Sequence, residues 1–202
     1  MEDMEACWNR NWRQWNDKPE PSSFARKAAE KMKETGVRRV LDLGCGRGRE
    51  SLFFASLGFE VTAADISDEA LKNIRHPLVR TEKVNVREKV WEPRSFDAVF
   101  ANLSLHYFEQ DETRRIVIGI ENALTPGGLF FIRCKSTADP LYGKGEPAGE
   151  GMYRLEHIRR FWSAAELGLL LSGFENAEIL ETREDYYGPC AFVEGTARKK
   201  YG

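Results

Sequence analysis

Histidine and cysteine are scarce in this chain of 202 residues: three histidines, His76, His106 and His157, and four cysteines, Cys7, Cys45, Cys134 and Cys190, none in a C-x-x-C pair. That scarcity points away from a zinc site and from a disulfide framework, and no metal is expected. Long apolar runs are also missing. The longest, such as 129–132 and 169–171, fall far short of the roughly 20 residues a membrane helix needs. The opening MEDMEACWNRNWRQW has no apolar core before a small-residue cleavage site, so it does not read as a secretory signal, and the cytoplasm is the expected location. An excess of positive charge is missing too. Thirty Lys plus Arg stand against 32 Asp plus Glu, a net charge of -2, so no overall field draws the chain to nucleic acid or an anionic membrane.

What is present is an alternation of strands and helices, in a length that suits one domain. Residues 22–34 are rich in Ala, Lys and Glu, with Phe24, Ala28 and Met32 on one helical face and Gly36 as the stop. A short apolar strand, 39–43, then runs into Gly44, Gly46 and Gly48 before a helix over 50–57. A second strand over 59–64 ends at Asp65, and Ser67 caps a helix with Ala70, Leu71 and Ile74 inward. Weaker strand signal covers 78–86, strong signal 96–101 and 129–133, with a helix over 111–124 between the last two. Near-continuous apolar strands read as a parallel sheet covered on both faces, hence an α/β doubly wound fold. Residues 135–154 carry Pro140, Pro147 and four glycines and read as a long loop, of the kind that is usually functional. A helix from Ser163 to Leu171 and strands over 174–182 and 191–197 close the chain.

The most informative segment is Val40-Leu41-Asp42-Leu43-Gly44-Cys45-Gly46-Arg47-Gly48. Alternate glycines let the backbone turn tightly and let a ligand approach where a Cβ would obstruct it. Ligands of open α/β sheets sit beyond the carboxyl ends of the strands near the switch point, where this loop lies. Asp65 follows Gly46 by 19 residues, the separation at which a carboxylate reaches ribose hydroxyls. A nicotinamide cofactor calls for G-x-G-x-x-G, whereas the spacing here is G-x-G-x-G. Asp42, two residues before the first glycine, disfavours pyrophosphate and suits an ammonium. A cofactor that joins adenosine to an amino acid fits both features.

With these residues the chain resembles the class I S-adenosylmethionine-dependent methyltransferases. DLGCGRG is similar to their first motif, Asp65 to their second-strand acid, and SFDAVFANLSLHYF with LTPGGLFFI to their fourth- and fifth-strand segments. DLGCGRGRES and the closing ARKK are similar to the tellurite-resistance and thiopurine type of small methyltransferase. The resemblance implies a Rossmann-like fold with a mostly parallel seven-stranded sheet, the last strand antiparallel. It divides the single domain 1–202 into a helical lid or cap (1–36), a cofactor-binding core (37–134), a substrate-side insert (135–162) and a C-terminal helix and strands (163–202). It implies S-adenosylmethionine as cofactor and S-adenosylhomocysteine as product. Asp42, Gly44, Cys45 and Gly46 fall around the methionyl moiety, Asp65 on the ribose, and Ile66 against adenine. Asn85 and Val86 stand where the family has Asp and an apolar residue at the adenine amino group, and an Asn oxygen also accepts that hydrogen bond. Asn102 falls at the cofactor's amino end.

Other residues admit two readings. His106, just past the fourth strand, is the candidate general base, although a His before Tyr107 and Phe108 is more often structural. Cys45 between glycines reads as packing rather than as a nucleophile. Trp8, Trp12 and Trp15, spaced i, i+4, i+7, either form an aromatic lid over the sulfonium or anchor the N-terminal segment. Tyr142-Gly143-Lys144-Gly145 lacks the strand and spacing of a phosphate loop. Arg154, His157, Arg159 and Arg160 read first as a solvated positive face and second as an anion site. The function expected is methyl transfer to a small-molecule acceptor; without an obvious base, a thiol or metalloid is favoured. Two alternatives remain: a non-catalytic cofactor-binding protein, and a methyltransferase of RNA or protein. Ala101-Asn102-Leu103-Ser104 stands where an Asn-Pro-Pro-Tyr motif would mark amide or exocyclic nitrogen chemistry.

Overall fold

Residues 4–14, 20–186 and 188–201 are described by a computed structural model; Trp15 lies outside them. Two helices come first, α1 (Met4–Gln14) and α2 (Ser23–Glu34). The hydroxyl of Ser22 accepts from the Ala25 N–H and so caps α2, whose Phe24, Ala28 and Met32 are buried as their spacing predicts. Then follow β1 (Arg39–Leu43), α3 (Arg49–Ser56), β2 (Glu60–Asp65), the single turn α4 (Asp68–Leu71), β3 (Val79–Lys83) and β4 (Phe96–Asn102). A 3-10 turn over Leu105–Tyr107 leads to α5 (Gln110–Ala123) and β5 (Leu124–Lys135). The chain finishes with α6 (Ala164–Leu170), β9 (Glu175–Asp185) and β10 (Pro189–Arg198), after three short strands described below.

Seven strands form one sheet in the order β3-β2-β1-β4-β5-β10-β9. Its pairings are parallel up to β5, and β10 runs antiparallel to both β5 and β9. This is the doubly wound α/β arrangement expected, with the last strand reversed. Side chains alternate between two apolar layers, as a pleated strand requires. Val40, Ala98, Phe100 and Phe131 face Phe24, Met32 and Phe54 of α2 and α3. Leu41, Val99, Phe130 and Ile132 face the side that holds Ile120, Trp162 and Leu171. Phe100 stacks on Phe24 at 5.1 Å between ring centroids and meets Phe54 edge-on at 5.0 Å, so truncating it to Ala costs about 3–5 kcal/mol.

The segment after β5 differs from expectation. Residues 135–154 read as a loop, but β6 (Glu146–Gly149), β7 (Met152–Arg154) and β8 (Ile158–Arg160) pair antiparallel as a separate small sheet. Strands of three or four residues carry too little alternation to be recognised, and of the Gly and Pro that suggested a loop, Pro147, Gly149 and Gly151 lie in and between them and the rest just before. Arg160 fastens this sheet to the main body. It is buried and donates to Glu150 O at 2.9 Å, Gln110 Oε1 at 3.2 Å and Glu166 Oε1 at 2.8 Å. No helix among the described residues is long and apolar enough to cross a membrane.

Candidate active site

β1 sits at the switch point of the sheet, with β2 on one side and β4 on the other, so their carboxyl ends diverge around a crevice. The loop after β1 is pinned by N–H donors from Gly44 and Cys45 to Ala64 O, at 2.8 and 3.0 Å. Gly44 and Gly46 have φ of 73° and 55°, a region that side chains disfavour. A Cβ at Gly44 would lie 2.3 Å from Ser104 Cβ, and one at Gly46 would lie 2.6 Å from the Trp12 ring. Neighbouring groups therefore demand these glycines independently of any ligand.

Asp65 ends β2 buried. Its Oδ2 accepts from the Gly46 N–H and its Oδ1 from the Ser67 N–H, both at 2.9 Å. Burial pushes its carboxyl above the usual range, against the pull of those backbone donors. Each oxygen has a second lone pair, so a ribose hydroxyl remains within its capacity. Asp42 is also buried, and its Oδ2 accepts from Ser51 Oγ at 2.5 Å. Burial, with the nearby Glu50 charge, pushes its pKa up to about 7. Cys45 is buried and its thiol is driven up by burial, as suits packing rather than attack.

Asn102 ends β4. Its Nδ2 donates to Glu50 Oε1 at 3.4 Å, while its buried Oδ1 has no partner among the described residues. An acceptor left without a donor in a buried wall is costly, and a ligand N–H satisfies it. Asn85 lies beyond β3 with its side chain in a local turn: Nδ2 donates to Glu88 Oε1 at 2.8 Å and Oδ1 accepts from the Arg87 N–H at 3.2 Å. Ile66 and Val86 stand beside it on the same wall.

His106 is buried at 1 % exposure. Its Nδ1 accepts from the Lys135 N–H at 3.3 Å, which places the proton of the neutral ring on Nε2. Burial, then the charges of Arg159 and Lys135, hold it well below the usual imidazole range. Nε2 has no acceptor among the described residues.

All nine cofactor-side residues singled out in the sequence, from Asp42 to Asn102, line one cavity of about 310 Å³, with His106 also on its wall. Trp8 and Trp12 of α1 close one side. The same helix is anchored to the core. Asn9 Oδ1 accepts from Ser67 Oγ at 2.7 Å, and Trp8 packs 4.8 Å from Tyr107 and 5.2 Å from His157.

Four charged residues of the cavity, Arg49, Glu50, Arg87 and Lys135, escaped the sequence reading. Glu50 is buried at the start of α3 and pairs with Arg49 at 2.8 Å; a carboxylate just after the last glycine was its only signal. Lys135 Nζ donates to Asp139 Oδ2 at 2.7 Å and lies 3.0 Å from Cys190 Sγ. Arg159 was seen only as part of a cluster, which the structure divides. Arg160 is structural, His157 packs on α1, Arg154 is exposed, and Arg159 alone of the four lines the cavity. Tyr142 meets Tyr153 and Phe161 edge-on at 5.4 and 5.6 Å rather than opening a phosphate loop.

Residues 40–128 match the family described as a methyltransferase domain. Rabbit (Oryctolagus cuniculus) glycine N-methyltransferase is 31% identical over 145 residues, covering 60% of this chain and 49% of that protein. The ubiquinone biosynthesis O-methyltransferase of Xanthomonas campestris pv. campestris is 31% identical over 145 residues, covering 66% of this chain and 60% of its own. The chain thus spans about half to three fifths of the length of these relatives. Among solved structures, a Burkholderia thailandensis 1,6-didemethyltoxoflavin-N1-methyltransferase with bound S-adenosylhomocysteine superposes with TM-score 0.69 at 24% identity, covering 96% of this chain and 85% of that one. A methyltransferase of Methanosarcina mazei described as SAM-dependent gives 0.69 at 21%, covering 81% and 93%. The fold is the Rossmann-like methyltransferase fold.

Proposed function

We propose that this chain is an S-adenosylmethionine-dependent methyltransferase acting on a small-molecule acceptor, with residues 1–36 capping the site and 135–162 forming its substrate side. The observation that carries the reading is the convergence of Asp42, the Gly44–Cys45–Gly46 loop, Asp65, Ile66, Asn85, Val86 and Asn102 on one cavity. The residues present fit the cofactor: Asn102 Oδ1 is an acceptor in want of a donor, and the cavity's buried carboxylates suit a cationic ligand.

When bound, S-adenosylmethionine supplies an activated methyl group on a sulfonium and leaves as S-adenosylhomocysteine. The chain's own work is alignment and exclusion of water, which together account for several kcal/mol of a displacement barrier. Asp42 and Asn102 receive the ammonium end, Asp65 the ribose, and Ile66 with Val86 and Asn85 the adenine. Trp8 and Trp12 cover the cleft and present aromatic faces to the cation. His106 donates through Nε2–H and holds no free lone pair, so it does not serve as the base. That supports an acceptor whose nucleophile needs no strong base, a thiol or metalloid as in the small methyltransferases the sequence resembles. In this reading the protein works in the cytoplasm, where its four cysteines, none of them in a disulfide, stay reduced.

Calorimetric titration with S-adenosylmethionine, S-adenosylhomocysteine and NAD tests the cofactor. Micromolar binding of both adenosyl ligands, about −8 kcal/mol, with none for NAD is the expected result. Binding of NAD alone overturns it. Adenosyl binding without turnover on any acceptor favours a non-catalytic protein, and turnover on bulk RNA or peptide favours a macromolecular substrate.

A further inference from the structure

Four cations line the cavity, and three are neutralised within the protein. Arg49 pairs with Glu50 at 2.8 Å, Lys135 with Asp139 at 2.7 Å, and Arg87 with Glu112 at 2.8 Å. Arg159, carried in by β8, has no carboxylate partner among the described residues and stands next to the Tyr107 hydroxyl. The carboxylates that line the cavity, Asp42, Glu50 and Asp65, belong to the glycine-loop end, and none of them pairs with Arg159.

A half-buried guanidinium without a counter-charge has lost hydration that only an anion restores well, and its fork matches an oxyanion. The surroundings agree. Trp8 and Tyr107 meet edge to face at 4.8 Å beside it, and Leu141 adds an apolar surface.

We infer that the methyl acceptor is a small organic molecule bearing an oxyanion, a carboxylate or phosphate group, which Arg159 binds while its apolar body lies against Trp8 and Tyr107. This rests on the methyltransferase reading and names its substrate class. Arg159 thereby becomes the residue that sets acceptor specificity, and the insert of β6 to β8 serves to deliver that one cation to the cleft.

The test is calorimetric titration of the whole protein saturated with S-adenosylhomocysteine, using benzoate and phenyl phosphate against their neutral counterparts benzamide and phenol. The expected result is saturable binding of at least one anion, at least tenfold tighter than its neutral counterpart. In Arg159→Gln that preference falls at least tenfold, Arg159→Lys keeps part of it, and Arg154→Gln leaves it intact. S-adenosylhomocysteine affinity within twofold of the unsubstituted protein shows that the variants are folded. Equal binding of benzamide and benzoate, no anion binding by a protein that does bind S-adenosylhomocysteine, or an unchanged preference in Arg159→Gln overturns the inference alone. If the unsubstituted protein does not bind S-adenosylhomocysteine, the methyltransferase reading itself falls. Benzoate or phenyl phosphate then identifies which oxyanion geometry the site prefers.

Discussion

The carboxylate of Asp65 accepts a 2.9 Å hydrogen bond from the backbone N–H of Gly46, so the acid at the end of β2 holds the loop at the end of β1 in place. In the proposed reading one residue thus serves both the shape of the cleft and its chemistry.

Asp65→Ala should therefore lose more than ligand contacts. The Gly46 and Ser67 N–H groups both lose their acceptor, and a buried donor left unsatisfied costs about 1–3 kcal/mol. Urea unfolding should show a loss in that range together with a large loss of S-adenosylmethionine affinity. Asp65→Asn retains one acceptor oxygen and should recover part of the stability. An Asp65→Ala protein of unchanged stability would mean that the two backbone bonds contribute nothing.

Asp42 links the site to pH. Its pKa of about 7 in the folded protein lies far above the carboxylate range near 3.9 of an unfolded chain. The folded state therefore binds the extra proton, so this group's contribution to stability is full below about pH 4, is lost as pH rises to about 7, and is flat beyond. A cationic ligand favours the carboxylate form, so binding of S-adenosylmethionine should release close to one proton per site at pH 6 and almost none at pH 8. Calorimetry in buffers of different ionisation enthalpy reads this directly. Asp42→Asn should abolish the release and flatten the stability profile.

His106→Asn preserves an acceptor for the Lys135 N–H without offering a titratable base. If His106 only donates, kcat should fall by less than about tenfold and the pH–rate profile should keep its acid limb. A general base would cost roughly 10²–10⁴-fold. A fall of that size, with loss of the limb, would restore the role first read from the sequence.

Trp12 and Gly46 can be tested as a pair. Gly46→Ala brings a Cβ within 2.6 Å of the Trp12 ring at a φ of 55°. S-adenosylmethionine binding should weaken sharply. Adding Trp12→Ala relieves the collision but not the backbone strain, which costs of order 1–3 kcal/mol. The double variant should therefore recover affinity in part, measured by the same titration.

The repeating apolar strands and the glycine loop made the sheet legible, since parallel strands buried on both faces leave dense runs such as 96–101 in the sequence. The cofactor side was legible for a related reason. Asp42, Gly44, Gly46 and Asp65 sit at strand ends, where position along the chain and position in the cleft are nearly the same. The acceptor side was not. Lys135 ends a strand that reads in the sequence as stopping at 133, and Arg159 reaches the cavity only because three very short strands pair across a stretch dense in glycine and proline. Which of four neighbouring basic residues faces inward depends on that pairing, and no local periodicity encodes it. His106 was found, but its tautomer is fixed by the Lys135 backbone, 29 residues away.

β10, the last strand of the chain, lies between β5 and β9, pairing Phe192 with Lys135 on one side and with Thr182 on the other. During synthesis β5 must wait with an open edge until β10 leaves the ribosome, and β9 has no strand partner among the described residues in the interval. The nascent chain thus carries an apolar edge, Phe130 to Cys134, available to any other strand that reaches it. Such non-local pairing is slow to form. Yield in the cell should then depend on chaperone capacity more steeply than the stability of the finished sheet would suggest.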